Sequence, residues 1–399
     1  MNMKTHPLTA VRAKTVLTLA GEGPSRGMEA LCRPLPRLDD GIIVAEDGVI
    51  QIIEPYRDYR RRPDALPENE IRDLGDGVLT PGLINCHVHL EISHMAGKTT
   101  MGRGFRDWLA SLVALDRNPP TTVTSDLATA IRSMADAGTA CAGDISSRMP
   151  HAVLDAVRAS GMEARVFREI IGHADAAVKA AKADAAGDAA FSLAGHAFYT
   201  TPGEAMVMAK QWCDAHSRPF SLHLAEHEDE VQFLVEEAGE FNAVLRRSMV
   251  PASWRAPRMR PVQYAASLGL LAPGTLAVHC VQCDAADIAT LAAGGAAVCL
   301  CPRSNLGINV GEAPARTFAE KGIPLVLGTD SLASNTDLDV WNEAEFFLKK
   351  NIFPANALLR MATVNGAAAL GLEHLAGRLE KGRRFWYRVF PSELAALLR

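Results

Sequence analysis

An α/β fold is expected of this chain: a (β/α)8 TIM-type barrel with a small β-sandwich-like domain built from the N-terminus and the C-terminal tail. Three observations carry that expectation. Eight short apolar runs recur from about residue 78 onward, most of them separated by Ala-rich amphipathic stretches, the pattern of strand–helix units. The first 77 residues and the tail after 371 are β-rich and lack such stretches. At 399 residues, the chain is long for one ordinary domain of about 150 residues but suits one large barrel with attachments.

Each element follows in order. The run GIIVAEDGVIQIIE (41–54) places Asp47-Gly48 between two β-rich segments, a strong hairpin signal. RDYRRRPDALPENE (57–70) alternates bases with acids and reads as a solvated loop. The eight strand candidates are VLTPGLINCHVHL (78–90), GTACAGDIS (138–146), ARVFREIIG (164–172), FSLAGHAFY (191–199), FSLHLAE (220–226), TLAVHCV (275–281), AAVCLCP (296–302) and PLVLGTDS (324–331). Helical patterns such as 126–138 and 287–295 end in Gly, a common helix stop. LAGRLEKGRRFWYRVF (375–390) reads as strand, turn, strand, and SELAALLR (392–399) as a last helix. The expected division is residues 1–77 for the first part of the β domain, 78–371 for the barrel, and 372–399 for the rest of the β domain with its helix.

Composition narrows the function classes. Hydrophobic residues make up 48% and charged residues 22%, which argues against disorder and coiled coil. The net charge of −5 speaks against nucleic acid or an anionic membrane as partner. No apolar run reaches the roughly 18 residues of a membrane span, and the one near the N-terminus is too short for a signal peptide. Most of the eight cysteines lie in apolar runs, which fits buried thiols in a reducing cytoplasm. Cys280-x-x-Cys283 has metal or redox spacing, but no second such pair completes a structural zinc site.

The chemistry concentrates at strand ends. His87 and His89 are two apart on the first barrel strand, so both imidazoles can reach one metal. His223 closes the apolar run of the fifth strand, His279 that of the sixth, and Asp330 that of the eighth. Ionisable groups at the ends of buried strands are costly unless paired or metal-bound, and the C-terminal ends of the strands are where barrel active sites lie. Three or more imidazoles and a carboxylate suit zinc or ferrous iron. Glu226, three residues beyond His223, is placed to move a proton between water and substrate. Its bland reading is an acid opening the helix 226–240, where it favours the dipole. His227 is expected on the solvent side of that helix.

These residues resemble the amidohydrolase superfamily, in its cytosine deaminase and chlorohydrolase-like branch. The likeness runs through PGLINCHVHLE (81–91), HLAE (223–226), VHC (278–280), CPRSN (301–305) and GTDS (328–331). It implies His87, His89, His223 and Asp330 as metal ligands, His279 as a contact to water or substrate, and Glu226 as the proton shuttle. GHAFYTT (195–201) is similar to the branch's fourth-strand motif and sets His196 against the substrate. Ser304 and Asn305 of CPRSN are expected there too. The fourth strand carries no lysine to bridge two metals, so one divalent ion is expected, zinc first and iron as the alternative. The usual tail motif is replaced by KGRRFWYRVF (381–390). HVHLEISHMAGK with GFRDWL (104–109) resembles the aminodeoxyfutalosine deaminases of the alternative menaquinone pathway. That implies hydrolysis of the amino group of an adenine-type ring, giving futalosine and ammonia. Lys98, Arg103, Arg106 and above all Arg148 are then candidates to meet the substrate's carboxylate, and Trp108 to pack a helix or cover the site. Members of the superfamily often form dimers, so a homodimer is compatible with the resemblance.

In the mechanism this implies, the metal brings hydroxide to neutral pH, Asp330 and His279 orient it, and Glu226 protonates the ring nitrogen. Three rivals remain at this point. One is another hydrolase on the same site: a guanine, cytosine or adenosyl-homocysteine deaminase, or a chlorohydrolase. The second is the other zinc deaminase class, with His-x-Glu and Pro-Cys-x-x-Cys; His89-Leu90-Glu91 and Cys280-x-x-Cys283 mimic it, but His279 stands where Pro belongs. The third is a non-enzymatic scaffold, which predicts missing ligands.

Overall fold

The structure, a computed structural model, describes residues 8–172, 175–248 and 254–397. Five strands precede the barrel: β1 (Leu8–Leu17), β2 (Arg37–Glu46), β3 (Val49–Pro55), β4 (Ile71–Asp73) and β5 (Val78–Pro81). β2 and β3 pair antiparallel around Asp47 and Gly48, with φ of 51° and 72°. Two left-handed residues are what a tight hairpin turn needs. The segment expected as a solvated loop carries two short helical turns, Tyr56–Tyr59 and Glu68–Glu70.

Eight strands then form one sheet in sequential order, every neighbouring pair parallel. They are β6 (Leu83–Val88), β7 (Thr139–Ser146), β8 (Glu163–Ile170), β9 (Phe191–Gly195), β10 (Phe220–Leu224), β11 (Thr275–His279), β12 (Ala297–Leu300) and β13 (Leu325–Leu327). Helices such as Val123–Asp136, Pro150–Ala159, Gly203–Ala215 and Ala285–Gly294 lie between them. The last strand meets the first where the Asp330 amide donates to the His87 carbonyl at 2.9 Å. Gly328 sits at that closure, where a Cβ would come within 2.7 Å of His87 Cβ and 2.8 Å of Cys299 Sγ. Its lack of a side chain lets the barrel close beside the histidine. Phe167, Ala194, Leu276, Val278, Cys299 and Val326 pack together with Leu370 and Leu372. Arg165, near the start of β8, donates to the Leu370 carbonyl at 3.0 Å, which ties that segment to the N-terminal ends of the strands.

The final strand, β14 (Tyr387–Phe390), pairs with β5, and the smaller sheet runs β14-β5-β1-β2-β3 with β4 beside β1. Two expectations are corrected here. The run 78–90 is not one strand: Val78–Pro81 pairs with β1 and β14 in the small sheet, and Leu83–Val88 pairs with β7 and begins the barrel. The tail is not strand, turn, strand either, for only Tyr387–Phe390 is strand. Before it, the chain turns at Gly377 and Gly382, with φ of 86° and 85°. It meets β3 through an isolated antiparallel bridge, Arg384 opposite Val49, with Ile50 N bonded to Arg383 O and Gly382 N to Ile50 O, and Leu379 N bonds to Thr18 O just past β1. All eight cysteines are free. Among the described residues no helix is long and apolar enough to cross a membrane.

Candidate metal centre and active site

The C-terminal ends of the barrel strands bring the histidines together. His87 Nε2 lies 3.6 Å and His89 Nε2 3.5 Å from Asp330 Oδ1. His89 Nε2 is 3.3 Å from His223 Nε2. The His223 and His279 rings stack at 5.5 Å. Donor atoms of His87, His89 and Asp330 fall within 4.8 Å of one another, as do those of His87, His223 and His279. The backbone bends to do this. His279, Asp330 and Ala225 all have left-handed φ, at 72°, 59° and 51°, a conformation that non-glycine residues adopt at a cost and that clusters at functional sites.

These residues fit a divalent metal ion. Both ring nitrogens of His87 are buried without a hydrogen-bond partner, and burial lowers its pKa to about 3. Burial likewise holds His223 well below the usual histidine range. Neutral imidazoles with free lone pairs are metal ligands in waiting. Burial alone would push the Asp330 carboxyl up, yet His87, His89 and His279 around it outweigh that and keep it well below the usual range. Its Oδ2 accepts from Ser304 Oγ at 2.6 Å and Ser334 Oγ at 2.7 Å.

Glu226 faces His279, its Oε1 3.5 Å from Nε2. Burial raises its pKa, with His279 opposing. It is not part of the following helix, which spans Glu228–Glu236. Glu230 on that helix accepts the Ala225 and Glu226 amides at 3.1 and 2.9 Å and so fixes the turn that carries Glu226. His279 Nδ1 meets Asn305 Oδ1 at 2.8 Å, which fixes the ring with Nε2 turned toward Glu226. His196 stands just past β9, its ring 4.8 Å from that of His223 and its Nδ1 2.6 Å from Thr200 Oγ1.

Three expectations shift, and Trp108 packs as expected. Ser304 and Asn305, expected against the substrate, are buried and hydrogen-bond Asp330 and His279. The Arg148 guanidinium is occupied by Asp116, with Nη1 to Oδ1 at 2.5 Å, and its side chain is 62% exposed on the rim. His227 is not on the solvent side. It is 2% exposed, caps the helix through the Glu230 amide and stacks on Phe105 at 3.6 Å. Trp108 packs its helix, its Nε1 donating to Ala333 O at 2.8 Å.

Sequence reading missed Glu169, Glu230, Ser334 and the bracing role of Glu91. Glu91 accepts the amides of Ser147, Arg148 and Met149 and the Ser146 hydroxyl. That use of Glu91 leaves no role for it as the proton carrier of the His-x-Glu class. Glu169 had a signal of its own, a carboxylate inside the apolar run ARVFREIIG. It is the same sign that found His223 and Asp330.

The sequence profile of the amidohydrolase family matches residues 78–397. The chain belongs to the amidohydrolase family. It is thus a hydrolytic enzyme of a metal-dependent family, acting on carbon–nitrogen bonds. This amidohydrolase is similar to the 5-methylthioadenosine/S-adenosylhomocysteine deaminase of Desulforamulus reducens, with 30% identity over 402 residues, 94% of this chain and 83% of the relative. A second such deaminase, from Halobacterium salinarum, is 32% identical over 355 residues, 80% of this chain and 74% of the relative. Among solved structures, a zinc-bound adenosine deaminase from Xanthomonas campestris superposes with a TM-score of 0.77 at 25% identity, covering 98% of this chain and 85% of that one. Helicobacter pylori aminofutalosine deaminase shares the fold, with a TM-score of 0.81 at 21% identity, covering 98% of this chain and 95% of that one.

Proposed function

We propose that this amidohydrolase is a deaminase of an adenine-type ring carried by a nucleoside, with one zinc ion held by His87, His89, His223 and Asp330. The observation that carries the reading is the placement of Glu226, buried with its Oε1 3.5 Å from His279 Nε2 at the strand ends that also carry Asp330. A deaminase needs one group that gives a proton to the ring nitrogen and another that takes a proton from the attacking water, both within reach of the reacting carbon. The relatives named as deaminases of adenine nucleosides support the ring.

A divalent metal in this site supplies the Lewis acidity that makes water a nucleophile near neutral pH. The chain's own groups do the rest. Glu226 gives its proton to the ring nitrogen next to the amino-bearing carbon, which makes that carbon electrophilic. Asp330, steadied by Ser304 and Ser334, takes the proton of the attacking water. Water oxygen bonds to the carbon, Asp330 passes the proton it took to the amino nitrogen, the carbon–nitrogen bond breaks to release ammonia, and the hydroxyl left on the carbon returns its proton to Glu226 as it becomes a carbonyl. His279, held by Asn305, orients the incoming oxygen through Nε2.

Within this class the substrate we favour is aminodeoxyfutalosine, on the motifs HVHLEISHMAGK and GFRDWL, and a role in menaquinone biosynthesis in the cytoplasm is part of the same proposal. The curated relatives favour a second reading, 5-methylthioadenosine or S-adenosylhomocysteine. Ammonia release from these three compounds, beside adenosine, guanine and cytosine, decides between them. Turnover of guanine or cytosine with none of the adenine nucleosides would refute the ring assignment.

A further inference from the structure

Glu169 is buried at 6% exposure, one residue short of the end of β8. Its Oε2 accepts from Ser147 Oγ at 2.7 Å. Its Oε1 has no hydrogen-bond partner. A buried carboxylate oxygen without a donor is costly, so the site is built for a donor that arrives with a ligand. Among the described residues none supplies a donor at hydrogen-bond distance. His223 Nδ1 is 4.0 Å away and lies closer to the His196 carbonyl, at 3.3 Å.

Position narrows what that donor is. Ser147 follows β7, Glu169 ends β8 and His196 follows β9, so three adjacent strand ends share one side of the mouth. Glu226, His279 and Asp330 follow or end β10, β11 and β13 on the other side. A substrate whose reacting carbon lies between Glu226 and Asp330 has the β7–β9 side left for the rest of it. The ring nitrogens of an adenine-type base are acceptors, and its amino group is at the reacting carbon. The donors that every candidate nucleoside has in common, and that lie next to the ring, are the sugar hydroxyls; the ammonium of S-adenosylhomocysteine sits at the far end of its tail.

We propose that Glu169, braced by Ser147, receives the hydroxyl groups of the sugar attached to the adenine-type ring. The inference rests on the nucleoside reading above. Two adjacent hydroxyls offer two protons, and a carboxylate accepts both. The other occupant of the same place is a second metal ion, since Glu169, His196 and His223 bring donor atoms within 4.8 Å of one another. That ion would need His223 to serve two metals through opposite ring nitrogens while its Nδ1 faces a carbonyl, which leaves two ligands.

The test compares a nucleoside that the enzyme deaminates with its 2′-deoxy and 3′-deoxy forms, in wild type and in Glu169→Gln, with metal content measured on both. Wild type is expected to lose on the order of tenfold to a hundredfold in kcat/KM when a hydroxyl is removed, the worth of a hydrogen bond to a charged group. Glu169→Gln is expected to lose as much on the parent nucleoside, little further on the deoxy forms, and no metal. Ser147→Ala, which leaves Glu169 in place, is expected to raise KM for the parent and to blunt the same dependence; it serves if Glu169→Gln does not fold. Wild type indifferent to both hydroxyls, or equal hydroxyl dependence in both proteins, overturns the proposal while the deaminase reading stands. So does a second metal ion that Glu169→Gln loses, or a drop in primary metal content with uniform loss on all substrates. Turnover of no nucleoside overturns the functional reading and this inference with it.

Discussion

Asp330 shows how single residues set the chemistry. Two serine hydroxyls hold its Oδ2, leaving Oδ1 toward the histidines. Hydrogen bonds to a charged group are worth about 1.5–3 kcal/mol each, and outer partners of a metal ligand typically govern affinity by about 10- to 100-fold. Ser304→Ala and Ser334→Ala are therefore each expected to weaken metal binding by about that factor, measured by competition with a chelator. Unchanged affinity in both would mean that the serines do not hold the ligand. Glu226→Gln removes the proton but keeps the shape. It is expected to lower kcat on the order of 10²–10⁴-fold with full metal content; turnover near wild type would end the shuttle assignment.

At the scale of elements, strand ends supply the reacting groups and the loops above them keep those groups in place. The loop after β7 has little apolar burial of its own, and its amides converge on Glu91 at 2.9–3.1 Å. Removing that acceptor leaves four donors unmet, each a net contribution of about 1 kcal/mol. Glu91→Ala is expected to abolish hydrogen-exchange protection at residues 147–149 and to raise KM, with Glu91→Gln in between. Retained protection in Glu91→Ala would show that the loop is fixed by something else. The turn after β10 is held in the same way by Glu230.

Across the whole molecule, the N-terminal segment is locked to the barrel by Arg360. Its guanidinium is fully buried, pairs with Glu22 at 2.6 and 2.7 Å, and donates to the carbonyls of Leu31, Arg33 and Pro34. Breaking such a pair from one side typically costs about 3–5 kcal/mol, so Arg360→Ala is expected to lower the urea midpoint by a corresponding amount. A midpoint within error of wild type would contradict this. Stability also depends on pH through Glu230, whose pKa burial raises to about 8 from the ordinary 4.5. The folded state holds that proton more tightly, so this contribution is full below about pH 4.5 and is lost as pH rises through 8. Glu230→Gln cannot titrate. Its melting temperature relative to wild type is expected to climb between pH 5 and 8, and a flat difference would refute the shift.

The sequence alone carried the alternation of apolar runs and amphipathic stretches, and with it the barrel, because strand and helix periodicities are local. It also carried His87, His89, His223, His279, Asp330 and Glu226, since each breaks an apolar run or follows one closely, where a charge needs a reason. What it did not carry depends on which distant segments meet. The apolar run 78–90 is split between two sheets only because β1 and β14 wait on one side and β7 on the other. Arg148 resembled a substrate contact until Asp116, 32 residues away, claimed its guanidinium. Ser304 and Asn305 lie in a site motif, but their hydrogen bonds to Asp330 and His279 are a matter of packing. His227 was expected in solvent and is buried because Phe105, from a helix more than a hundred residues earlier, stacks on it. Patterns of hydrophobicity and spacing determine elements and mark ionisable groups. Partnerships across long stretches of chain, and the direction in which each buried polar group points, are decided only when the tertiary structure closes, because they depend on distances that no local pattern contains.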